Sequence, residues 1–176
     1  MSATTADRSP ARQIATFIGK FDPEVGKVIR ACRTELRKLL PSAIELVYDN
    51  YNFFVIGFSS TERASDAIVS LAATANGVGL SFYHGATLPD PGKLLLGSGK
   101  QNRFIRLPDA ATLRSPDVRA LLRAAVRQAK NPLNSKGGGY TIIKSVSANQ
   151  RPRRKVKATT GKASPGTRSK QRASGR

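Results

Sequence analysis

Apolar residues repeat with two different periods along this chain, and the switch between them places its elements. Val25, Val28, Ile29, Cys32, Leu36, Leu39 and Leu40 fall on one helical face. Asp22 as cap, Pro23 in the first turn and Glu24 at the positive end of the dipole predict where that helix starts, and Pro41 where it stops. Lys27, Arg30, Arg33, Arg37 and Lys38 fill its solvent side, and a short helix over residues 13–18 precedes it. Ser115-Pro116-Asp117 opens a second long helix, with Val118, Leu121, Leu122, Ala125 and Ala129 as its buried stripe as far as Lys130. Arg119, Arg123 and Arg127 form the solvated stripe opposite.

Between these helices the pattern becomes β-branched and aromatic with a period of two. Residues 44–48 and 52–58 read as strands joined through Asp49-Asn50-Tyr51. Residues 67–74 and 78–83 read as a hairpin turning at Asn76-Gly77, the pair suited to the positive φ values of a type I′ turn. That register puts Val69, Leu71 and Ala73 on one face with Leu80 and Phe82. The other face receives Ser70, Ala72, Thr74, Gly79, Ser81 and Tyr83. One face is apolar and fit to cover helices, while the other is small, polar and open to water or a ligand. Residues 85–99 form a Pro- and Gly-punctuated loop, 104–107 a short strand, and Asn131-Pro132 ends the last helix. The expected fold is thus α+β, two-layered, with an antiparallel sheet packed against N- and C-terminal helices.

Charge divides the chain unevenly. It carries 30 Lys and Arg against 11 Asp and Glu, a formal net charge of +19. Residues 131–176 hold 12 of those cations and no acid. Such a composition cannot offset ordering entropy by burial, so the reading is a disordered start over residues 1–10, a domain over 11–130 and a mostly disordered basic tail over 131–176. Within the tail, residues 140–146 are β-prone and have a second option, docking as an edge strand on the body or on a partner. Arg151, Arg153, Arg154, Lys155 and Lys157 form a dense patch expected to bind nucleic acid or another polyanion through counterion release, the alternative being a solubilising extension without a partner. A lone cysteine excludes an internal disulfide and a thiolate zinc cluster, and nothing resembles a secretory signal or membrane span, so a cytoplasmic protein without membrane attachment is expected.

The run from residue 81 to 107 passes from a strand through Leu88-Pro89-Asp90-Pro91 and Gly97-Ser98-Gly99-Lys100 to Arg103 and a second strand. It resembles the YdhG-like family of unknown function, over about residues 15–130, and residues 142–154, ending Gln150-Arg151-Pro152-Arg153-Arg154, resemble an extension carried by one branch. The resemblance implies a compact α+β fold related in shape to frataxin and no established reaction. One member class is described as an iron chaperone, which would need clustered carboxylates; the first long helix here has only Glu24 and Glu35, so iron binding is not carried over.

Few residues suggest chemistry. Gly97-Ser98-Gly99-Lys100 lacks phosphate-loop spacing, and reads as a loop before a strand. A weaker anion-binding rim for a small anionic ligand remains: Lys100 and Arg103, with Arg106, near Tyr83 and His84. His84 has no second histidine to work with and reads as structural; Cys32 lies on an apolar face and reads as core. Glu45, Asp49 and Asp90 show no acid–base spacing, and Asp49 and Asp90 read as turn residues. No catalytic residue, metal or cofactor is expected, and the reading is a non-enzymatic binding module. A nucleic-acid-associated protein acting through its tail is the alternative. Oligomeric state is not legible.

Overall fold

The computed structural model describes residues 9–155. Helix α1 spans Pro10–Gly19, longer than the period alone indicated, because the Ser9 hydroxyl caps it by accepting from the Arg12 N–H at 3.4 Å. Helix α2 spans Pro23–Leu39 with Asp22 in the cap position. The Asp22 side chain makes no capping bond, and its carboxylate instead accepts from the backbone N–H of Lys155. Strands β1 (Ile44–Asp49), β2 (Phe54–Ser59), β3 (Ala67–Thr74), β4 (Gly77–Phe82) and β5 (Arg103–Arg106) follow. Helix α3 spans Pro116–Arg127, capped by Ser115, and strand β6 spans Thr141–Val146.

The sheet has six strands in the order β5-β4-β3-β2-β1-β6. Neighbours among β1 to β5 are antiparallel, but β6 runs parallel to β1, so the expectation of a wholly antiparallel sheet is corrected. The two faces of the hairpin are the expected ones, but the pairing is shifted by two residues from that of an Asn76-Gly77 turn, with Ser70 opposite Ser81 and Leu71 opposite Leu80. Its turn differs. Thr74 pairs with Gly77, so Ala75 and Asn76 form the loop. Gly77 alone there takes a positive φ (131°), and a type I′ turn, which needs two such residues, is not formed.

The helices cover one face. Ile29, Cys32 and Leu36 of α2 are fully buried against the layer that includes Ile56, Leu71 and Leu80. The Phe54 ring lies 6.0 Å from that of Phe17 and 6.2 Å from that of Phe21, tying α1 to the sheet. Each such side chain, fully withdrawn from water, contributes about 1.5–3 kcal/mol. Burial, followed by the charge of Asp109, pushes the Cys32 thiol up to about 11, in keeping with a core cysteine.

The basic tail is corrected over the part that is described. Residues 141–146 take the second option, docking on the body as the edge strand beside β1. Gly139 donates its N–H to the Pro41 carbonyl at 3.0 Å, Glu45 donates to Tyr140 at 2.8 Å and Ser147 to Asp49 at 2.9 Å. At Gly139 a Cβ would collide with the Ala43 carbonyl, so only glycine lets the chain pass there. The remainder of the tail, residues 156–176, and residues 1–8 lie outside the described residues.

Candidate functional site

Strand register builds an open groove on the sheet face away from the helices. Val55, Ala72, Gly79 and Arg106 form one cross-strand row, and Gly57, Ser70, Ser81 and Phe104 the next. The floor is therefore made of residues with almost no side chain. Phe53 and Val55 rise on one side, and Tyr83 and Phe104 on the other, around a groove of about 1040 Å³. Phe53, Tyr83 and Phe104 are 47%, 39% and 37% exposed, high values for aromatic rings in a folded domain.

Local structure holds these walls in place. The Leu96 and Phe104 backbones exchange hydrogen bonds of 2.8 and 3.0 Å, folding the loop along the edge of β5. Gly97, at φ 102°, lies against the Phe104 ring, where a Cβ would sit 3.6 Å from the ring atoms. At Gly79 an added Cβ would stand 3.1 Å from the Ile105 carbonyl, so the floor is kept low by backbone proximity as well. The Ser81 hydroxyl bonds Asn102 Oδ1 at 2.9 Å, and Asn102, Gln101 and Arg106 supply polar groups to the lining.

The residues expected to form an anion rim are not gathered in one place. Tyr83 and Arg106 line the groove, whereas Lys100, Arg103 and His84 do not. Arg103 alternates to the face opposite Phe104, and its Nη1 donates to the carbonyls of Gly99 and, at 2.8 Å, Asn102. Gly85 packs against the Arg103 backbone so closely that a Cβ would sit 2.6 Å from the Arg103 Cβ. His84 Nδ1 lies 2.7 Å from the Gln101 amide nitrogen, and its ring meets Tyr83 edge-on at 5.0 Å. Lys100 is exposed on the loop. Phe53 and Val55, missed as site residues, were readable from the period-two alternation that buries Phe54 between them, whereas Phe104 is brought to the groove by the pairing of β5 with β4.

The acids are committed to structure. Asp90 accepts from the N–H groups of Leu94 and Leu95 at 2.9 and 2.8 Å, a turn role as expected. Asp49 is different, and its reading as a turn residue is corrected: it ends β1, is fully buried, and meets Lys20 Nζ at 2.5 Å and Arg153 Nη2 at 3.1 Å. Glu45 meets Arg33 through two parallel bonds of 2.8 and 2.7 Å and accepts from the Thr141 hydroxyl at 2.6 Å. Burial raises its pKa, but the hydrogen bonds of Arg33 and Thr141 with the charges of Arg33 and Arg37 outweigh this and hold the carboxyl below its ordinary value. Among the described residues no three His, Cys, Asp or Glu side chains form a group able to hold a metal ion. No helix of the described residues is long and apolar enough to cross a membrane.

The expected polyanion patch is partly dismantled. Arg153 is buried, its Nη1 donating to the Asn52 carbonyl at 2.8 Å and its Nη2 to that of Asn50 at 2.5 Å, so it is withdrawn from any phosphate. The Arg154 guanidinium donates to the carbonyls of Phe21 and Gly19, both at 3.3 Å, and that of Arg151 sits over the Tyr51 ring at 5.6 Å. Lys155 is exposed, and Lys157 lies outside the described residues. Compared with known proteins, the chain matches no family model, no curated protein and no solved structure.

Proposed function

We propose that this chain is a binding module whose open sheet face holds a flat, largely apolar ligand bearing one anionic group. The observation that carries the reading is the groove itself: exposed rings of Phe53, Tyr83 and Phe104 around a floor of Ser70, Ala72, Gly79 and Ser81, with Arg106 as the single cation on its lining. Small floor residues let a planar body lie against the sheet, aromatic walls grip its edges, and one guanidinium fixes the charged end. This narrows the small anionic ligand foreseen in the sequence to one that is mostly apolar. The order of elements over residues 15–130 is compatible with kinship to the YdhG-like family, and that kinship is part of the proposal.

Anilinonaphthalene sulfonate, a fused ring system with one anionic group, is a suitable probe. Saturable binding at one site is expected, abolished by Ala72→Phe, which fills the floor, and weakened about tenfold by Arg106→Gln. Equal binding to wild type and Ala72→Phe at unchanged Tm would end the proposal. The alternative, nucleic-acid association through the tail, now rests on Arg151, Arg154, Lys155 and the residues that follow. A chain ended at Lys155 tests it cleanly, because truncation at Lys130 would also remove β6, with Arg153 from Asp49 and Thr141 from Glu45. Undiminished duplex binding by that shortened chain would discard the role of residues 156–176.

A further inference from the structure

The geometry points to a second docking surface, independent of the sheet groove: the apolar cleft beside α3, bordered by Arg119, Arg123 and Arg127, takes an acidic amphipathic helix of a partner protein. The cleft, of about 440 Å³, lies where the end of α2 meets α3, on the helix layer, with Leu39, Pro41, Leu122, Val126 and Leu133 as its apolar lining. The three arginines line the same cleft. Spaced four residues apart, they stand one above another along the helix, covering about 12 Å of its length.

These three cations differ from the described arginines that form ion pairs. Arg33, Arg114 and Arg153 each meet a carboxylate. The side chains of Arg119, Arg123 and Arg127 are exposed and make no hydrogen bond or ion pair with any other described residue. Their neighbours one turn away on α3 are apolar, small or again basic, so repulsion along the row goes uncompensated within the helix. A phosphate chain would neutralise the row but leave the apolar lining in water. An amphipathic helix with a carboxylate on each successive turn beside an apolar stripe satisfies both at once. The chemistry of the occupant is thereby set: acidic along one edge, aliphatic on the face that enters the cleft.

Fluorescence anisotropy with the full-length chain tests this, using a labelled peptide of about 15 residues with a glutamate on each turn flanking a leucine stripe. A permuted peptide of the same composition, without the stripe, controls for charge attraction alone. The ordered peptide is expected to bind at least about tenfold more tightly than the permuted one, and Arg123→Glu to remove about tenfold or more of that affinity. Arg151→Glu, an equal change of charge far from the cleft, is expected to shift it by less than about twofold. Equal binding of the two peptides, or indifference to Arg123→Glu in a protein of unchanged Tm, overturns the proposal. Arg123-dependent capture by phosphatidylserine vesicles without peptide binding would assign the surface to membranes and overturn it as well.

Discussion

Arg153 places its Nη2 3.1 Å from Oδ1 of Asp49, from which it is separated by 104 residues, and the two side chains are only 3% and 1% exposed. The pair does more than neutralise charge. Arg153 also takes up the carbonyls of Asn50 and Asn52 in the connection between β1 and β2, and its guanidinium lies 5.7 Å from the centre of the Phe21 ring. One side chain therefore ties the C-terminal segment to a strand, a loop and the junction of α1 with α2.

Removing it should be costly. Arg153→Met leaves Asp49 buried with Lys20 as its remaining partner and two loop carbonyls unsatisfied, and is expected to destabilise the fold by about 2–4 kcal/mol. Urea unfolding measures this, and Asp49→Asn in the same background should recover part of the loss. A change within about 0.5 kcal/mol for Arg153→Met would show that the contact holds nothing in place.

Gly139 admits no side chain, since the Ala43 carbonyl occupies the Cβ position and the Pro41 carbonyl lies 3.0 Å from it. Gly139→Ala is therefore expected to push the chain off β1 and to cost about 2 kcal/mol or more. Amide hydrogen exchange gives the local readout: protection should fall in Thr141–Val146 and persist in β3 and β4. Retained protection in β6 would mean that the close approach is easily relieved.

Glu45 makes stability depend on acidity. Its folded pKa lies below the ordinary 4.5. A depressed carboxyl binds its proton less readily when folded than when unfolded, so its contribution is complete above the unfolded value and is lost as pH falls through the folded one. Urea midpoints should therefore decline with acid below about pH 4.5, and Glu45→Gln or Arg33→Met should flatten that decline. An identical acid profile for wild type and Glu45→Gln would refute the assignment.

Much of this architecture was legible in local chemistry. The Pro and Ser signals beside Asp22 and Ser115 located α2 and α3, because caps and the helical period act within a few residues. The shared faces of β3 and β4 followed from side-chain alternation, though the turn formed one residue earlier than expected and moved the pairing by two, with Gly77 alone absorbing the positive φ. Pairing of β6 with β1 could not be fixed in this way, since it depends on a distant partner and on the passage at Gly139. The burial of Arg153 was hidden by the same distance: its countercharge, Asp49, sat among turn-forming residues and looked like one of them. The groove was half visible. Its small floor came from the hairpin, but whether Arg103 or Phe104 faced it depended on the alignment of β5, which nothing nearby specifies.

The parallel union of the first strand with the last has a consequence for biosynthesis. During translation the inner pleats can assemble while the C-terminal residues are still inside the ribosome, yet β1 keeps an unpaired edge until the sixth strand emerges. For that interval two acids on β1 lack part of their shielding, and the nascent protein carries an adhesive border. Pairing of β1 is complete only once the chain has passed Pro41 and Ala43 at Gly139, so the strand made after all the others is the one that covers this edge.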